Sequence, residues 1–168
     1  TAEITRALKE LQNEMKIPIY ASMESQAASG GYYIAANSDR IFATEDTMTG
    51  SIGVIMSSMN YSGLMEKLGI ADATIKSGAL KDIGSGSRPQ TKEDKEVLQA
   101  FVDSMYGRFV KVVADGRKMN EADVRKLADG RIYDGAQALE NGLVDDIGYP
   151  DQALKALRKD NGSVSYTH

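Results

Sequence analysis

The sequence predicts an α/β layer fold. Two observations carry that prediction: short apolar runs of strand length recur along the chain, and they alternate with stretches of helical spacing. No repeat of solenoid period runs through the 168 residues, so a stacked-repeat architecture is excluded.

Taken in order, Ile4, Leu8, Leu11 and Met15 sit at spacings of four, three and four, the stripe of an amphipathic helix. Pro18 ends that stretch, and Ile19–Met23 reads as a short buried strand. Residues 25–31 are small. A helix is expected from Ser29, or just after it, to Ala36, where Asn37-Ser38-Asp39 stops it. Arg40–Ala43 is a second strand, Thr49-Gly50-Ser51 a turn, and Ile52–Met56 a third strand. Tyr61–Leu68 is a short helix closed by Gly69, and Ala73–Lys76 a fourth strand. A loop rich in Gly and Ser follows from Ser77 to Pro89 and carries Lys81. Thr91 opens a helix to about Ala114, with Leu98, Val102, Met105, Phe109 and Val112 on one stripe. Further helices are expected from Asn120, over Asp134–Asn141 and over Asp151–Lys159, with a strand at Leu143–Asp145. One domain is expected over residues 1–159, partial at its start, followed by a polar, frayed tail at 160–168.

Composition narrows the chemistry. A net charge of −4 argues against a nucleic-acid binder, which would carry a basic patch. There is no cysteine, which excludes a thiol nucleophile and thiolate-held metals. The one histidine, His168, is the last residue, so a Ser-His-Asp triad has no usable imidazole within the chain. No metal site and no cofactor are expected. No run of 18 apolar residues is present to span a bilayer.

Ser29 lies in Ala27-Ala28-Ser29-Gly30-Gly31, where a strand, a turn of small residues and a helix meet. A catalytic serine needs an exposed oxygen, a base and donors for the oxyanion. The two glycines let a substrate approach the backbone, and the Gly30 N–H can point at a developing oxyanion. A plain N-cap serine is the competing reading, and on spacing alone it stands ahead. With no His or Cys, the base must be Lys, Asp, Glu or a terminal amine. A lysine serves only when burial or a positive neighbour disfavours its charged form. Lys81 stands out because its loop, Ser77 to Gly84, is small and apolar, although a solvated surface lysine is the alternative there.

The motifs Ala27-Ala28-Ser29-Gly30-Gly31-Tyr32-Tyr33, Met48-Thr49-Gly50-Ser51-Ile52-Gly53, Lys76-Ser77-Gly78 with Lys81-Asp82, Asp129-Gly130-Arg131-Ile132-Tyr133 and Gly142-Leu143-Val144-Asp145 occur in that order. Together they resemble the signal peptide peptidase A (SppA) family of bacterial Ser-Lys proteases, over about residues 17–147. The resemblance implies a Clp protease/crotonase-like spiral of ββα units whose N-terminal strands precede this chain. It implies Ser29 as nucleophile, Lys81 as general base, Ser51 as the serine that orients the lysine, and Gly30 as an oxyanion donor. It implies a second oxyanion donor in a turn upstream of Thr1. It also implies a homo-oligomeric ring, an octamer in the known type, that shares each dyad between subunits. The expected substrates are apolar signal-peptide remnants at the bacterial cytoplasmic membrane. The catalytic domain is expected on its extracytoplasmic face, held by an upstream anchor. Two other readings are a non-catalytic membrane-associated scaffold on the same fold and a crotonase-type acyl-CoA enzyme. The second is disfavoured because Glu24 is the one carboxylate near the serine turn. Asp129-Gly130-Arg131, Tyr32 and Tyr33 read as structural, and Met48, Met56, Met59 and Met65 as core in preference to a substrate groove.

Overall fold

The computed structural model describes residues 1–162. Of the tail expected at 160–168, residues 163–168, His168 included, lie outside the described residues. Those described fall into two compact units, residues 1–53 with 107–162, and residues 54–106.

The first unit is built on strands β1 (Tyr20–Met23), β2 (Gln26–Ala28), β3 (Arg40–Ala43), β4 (Met48–Gly50), β5 (Ile132–Tyr133) and β6 (Asp146–Ile147). They form two three-stranded sheets, β1-β3-β6 and β2-β4-β5. The chain steps from one sheet to the other twice in the same sense. β1 and β3 pair in parallel with Ala21 opposite Ile41, and β2 and β4 pair in parallel with Ala28 opposite Gly50. Each strand pair thus gives its first strand to one sheet and its second to the other, which is the ββα spiral in miniature. β5 closes the second sheet antiparallel to β4. The helices of this unit are α1 (Ala2–Glu14), α2 (Gly30–Ala35), α5 (Glu121–Leu127), α6 (Gly135–Glu140) and α7 (Pro150–Asp160). Tyr32, Ile41, Ile52, Val110, Val113, Val124 and Leu143 are fully buried. The Tyr32 hydroxyl donates to the Leu143 carbonyl at 2.8 Å, which satisfies the one polar atom that the ring takes inside. Tyr33 is half-buried, its ring 5.2 Å from that of Phe109. Both tyrosines are structural, as the sequence suggests.

The second unit holds α3 (Ser62–Lys67) and the start of α4 (Lys92–Arg117). The rest is loop. Its fixed point is an ion-pair chain: Lys76 and Arg88 both bind Asp82, each at 2.9 Å, and Arg88 also binds Asp94. Asp94 is 1% exposed, and it forms a reciprocal cap with Thr91 at the start of α4.

Several local expectations differ from the structure. Thr49 and Gly50 are strand, not turn, and the strand expected at Ile52–Met56 is absent. The reason is Ser51: its φ of 49° leaves the extended region, so the ladder stops there. Ala73–Lys76 pairs with no strand among the described residues, and Ile75 is 100% exposed. At Leu143–Asp145 the expected strand gives way to a C-terminal turn of α6. The N–H groups of Leu143 and Val144 both donate to Ala138 O, and pairing begins only at Asp146. β2 and β5 are strands the sequence does not signal, because small residues and a two-residue ladder carry almost no strand pattern. α7 reaches Asp160, whose carboxylate accepts from the Tyr20 hydroxyl and from Arg40. Met48, Met56 and Met59 are exposed, so they are not core.

Candidate active site

Three of the four expected site residues come together at the ends of two neighbouring strands. Ser29 is the first residue past β2 and Ser51 the first past β4, and the residues before them, Ala28 and Gly50, are register partners. The parallel ladder therefore places the two serines side by side. The buried Thr49 hydroxyl ties the strands further, donating to Ala27 O at 2.8 Å.

Ser29 has φ 52° and ψ −116°, outside both the helical and the extended regions. Its N–H donates to Gly50 O at 2.8 Å, and its own carbonyl accepts the Tyr33 N–H at 2.8 Å as α2 begins. Its side chain is exposed and makes no capping bond to α2. An N-cap serine takes extended backbone angles and spends its hydroxyl on the helix. Ser29 does neither, so the capping reading that spacing favours is set aside. A strand-to-helix turn with a positive φ at its serine is the geometry that lifts a nucleophile clear of its surroundings. Gly30 opens α2, and its N–H has no intrahelical acceptor. A Cβ at Gly30 would lie 3.1 Å from Thr1 Cγ2, so the chain passes too close there for a side chain to fit without movement.

Ser51, at φ 49°, is anchored through its N–H to Arg131 O at 2.8 Å. Gly50, at φ 72°, lies against the ring of Tyr133, and a Cβ there would come within 2.5 Å of that ring. The Tyr133 hydroxyl donates to Leu127 O at 3.0 Å, and burial pushes the phenol up, which keeps it a donor. Arg131 pairs with Asp129 at 2.5 Å, and that pair holds the Asp129 carboxyl at about 2.

Lys81 belongs to the second unit. Its N–H donates to Gly78 O at 3.1 Å in a tight turn, and its side chain is exposed. The neighbouring carboxylate, Asp82, is claimed by Lys76 and by both arms of Arg88, which hold it far below its ordinary range. In the same unit a cavity of about 580 Å³ is lined by Met56, Ser57, Gly84, Lys95, Leu98 and Val102.

Ser29 thus stands at a strained strand-to-helix turn in an α/β chain of paired sheets. The chain belongs to peptidase family S49, whose model matches residues 11–163. It is 58% identical over 160 residues to an Enterococcus faecium protein that bears the name signal peptide peptidase SppA, covering 95% of this chain and 46% of that one. It is 35% identical to Protease 4 of Haemophilus influenzae, over 91% of this chain and 25% of that protein. It is 34% identical to the chloroplastic serine protease SPPA of Arabidopsis thaliana, over 88% of this chain and 22% of that one. The chain thus spans half or less of the length of these relatives. A solved membrane-bound stomatin-specific protease, bound to a substrate peptide, shares the fold with a TM-score of 0.51 and 17% identity, over 90% of this chain and 56% of that one. The expected Clp protease/crotonase-like α/β fold is therefore the fold of this chain.

Proposed function

We propose that this chain carries the catalytic machinery of a serine endopeptidase that works through a Ser29–Lys81 dyad. The observation that carries the reading is the backbone of Ser29, held at a positive φ with its hydroxyl exposed and uncommitted. Such strain costs on the order of 1–3 kcal/mol and persists where surrounding structure over-determines it. Ser29 Oγ attacks the peptide carbonyl carbon. Lys81, as the neutral amine, takes the Oγ proton and passes it to the leaving amine. The Gly30 N–H donates to the oxyanion. Water then releases the acyl group, and the Ser51 hydroxyl orients the lysine. Lys81 is exposed in the single chain, while a neutral amine needs exclusion of water. A neighbouring subunit or the bound peptide has to supply that exclusion, which favours a homo-oligomeric ring, up to an octamer, with dyads shared between subunits.

The proposed substrates are apolar remnants of signal peptides at the bacterial cytoplasmic membrane, on its extracytoplasmic side. Among the described residues no helix is long and apolar enough to cross a membrane. In the whole protein, Ser29→Ala and Lys81→Ala are each expected to abolish hydrolysis of an apolar peptide, a loss of about a thousand-fold or more. Full activity in either variant would sink the dyad.

A further inference from the structure

The motif Asp129–Tyr133 stands out in the sequence yet has no part in the proposed chemistry. The structure puts it against Ser51 and its neighbours Gly50 and Gly53. Arg131 O accepts the Ser51 N–H at 2.8 Å. Two residues on, the ring of Tyr133 fills the space where a Cβ of Gly50 would stand, at 2.5 Å. Gly130 packs on the other side of Ser51, its Cα 3.4 Å from the Cβ position of Gly53. Three contacts, from Gly130, Arg131 and Tyr133, thus hold residues 50–53. Gly50 is the residue whose carbonyl accepts the Ser29 N–H at 2.8 Å. The hold on Ser29 therefore runs through Gly50 to Tyr133, and from the Tyr133 hydroxyl to Leu127 O at 3.0 Å.

We infer that Tyr133 is a positioning residue for the nucleophile: its anchored ring fixes the Gly50 peptide, which in turn holds Ser29 in its exposed, strained conformation. The inference rests on Ser29 being the nucleophile. Two features separate this role from ordinary packing. The ring stands in the space a Cβ of Gly50 would need, so it bears directly on the backbone whose carbonyl accepts the Ser29 N–H. The Tyr133 hydroxyl reaches a carbonyl at the end of α5, so the ring can neither tilt nor withdraw without breaking a part-buried hydrogen bond.

The test uses the whole protein and an aryl fluorophosphonate, from which Ser29 Oγ displaces fluoride at phosphorus. Tyr133→Phe keeps the ring and removes its anchor. Labelling of Ser29 and kcat for a peptide are both expected to fall about three- to ten-fold, the worth of one hydrogen bond, with KM unchanged. Tyr133→Leu, which removes the flat ring, is expected to fall further. Ile41→Val in β3, fully buried in the other sheet, serves as the stability control: it should lower Tm without slowing labelling. If Tyr133→Phe labels at the wild-type rate, or if Ile41→Val slows labelling as much, the positioning role is overturned. The underlying reading fails separately: a wild-type protein without label at Ser29, or a labelled Ser29→Ala, would remove the nucleophile itself.

Discussion

The two units hold themselves together in different ways. Every buried apolar side chain found among the described residues belongs to the first unit, from Met23 to Ala153. In the second unit the one buried residue is the charged Asp94, while Ile55, Met59, Leu64, Leu68 and Ile75 are all more than half exposed. The first unit is a packed core in the ordinary sense, where burying a large aliphatic side chain contributes about 1.5–3 kcal/mol. The second relies on Lys76, Asp82, Arg88 and Asp94 for its fixed geometry. Ser29 and Ser51 lie in the first unit and Lys81 in the second.

The contrast is easiest to break by truncating apolar side chains. Leu143→Ala, in the first unit, is expected to cost about 2–5 kcal/mol in denaturant unfolding. Ile75→Ala, at 100% exposure in the second, should stay within about 0.5 kcal/mol. Equal effects would mean that the second unit buries its apolar face in solution.

A smaller effect sharpens the comparison within one helix. A Cβ at Gly116 would meet Ala36 O at 1.9 Å, whereas nothing lies within 4 Å of the position at Gly107. Alanine is the better helix former by about 1 kcal/mol, so Gly107→Ala should stabilise by up to that amount. Gly116→Ala should instead destabilise by about 1–3 kcal/mol, the usual cost of overpacking. Matched thermal melts decide the sign of each.

Acid should separate the units by the smallest margin. Hydrogen bonds from Arg88 and the Thr91 N–H hold the Asp94 carboxyl below its ordinary range. At Asp145 burial pushes the carboxyl up, but the bonds from Arg117 and the Ile41 N–H outweigh it and leave it lowered. Both folded-state values lie under the unfolded value of about 3.9, so their stabilisation is complete above that pH and is lost as the pH falls through the folded values. The second unit has no buried apolar core to fall back on. Limited proteolysis between pH 5 and 2 is therefore expected to open residues 77–90 before the rest of the chain. Simultaneous cleavage everywhere would show that the two units unfold as one.

Much of the site was legible in the sequence because its elements are local. Gly30 and Gly31 after Ser29 mark a tight turn, while the absence of cysteine and of an internal histidine leaves Lys, Asp, Glu or a terminal amine as the base, and the choice of Lys81 comes from the family resemblance. Helices with a clear stripe or cap, such as α1, α4 and α6, needed only their own residues. The strands were harder. β2 is Gln-Ala-Ala and β4 is Met-Thr-Gly, segments with no intrinsic preference for extension that became strands because each offered the other a partner. Ile52–Met56 and Ala73–Lys76 show the converse, apolar and β-branched runs left without a ladder.

By itself the sequence determined the fold class, the family motifs and the residue types able to do the chemistry, since those depend on composition and on spacing along the chain. The tertiary structure decided that the Ser29 side chain makes no cap to α2, that Ser51 stands beside it in register, and that the Tyr133 ring lies against Gly50. Those facts depend on contacts between residues about 20 to 100 positions apart, and a positive φ is tolerated only when such distant contacts hold it in place.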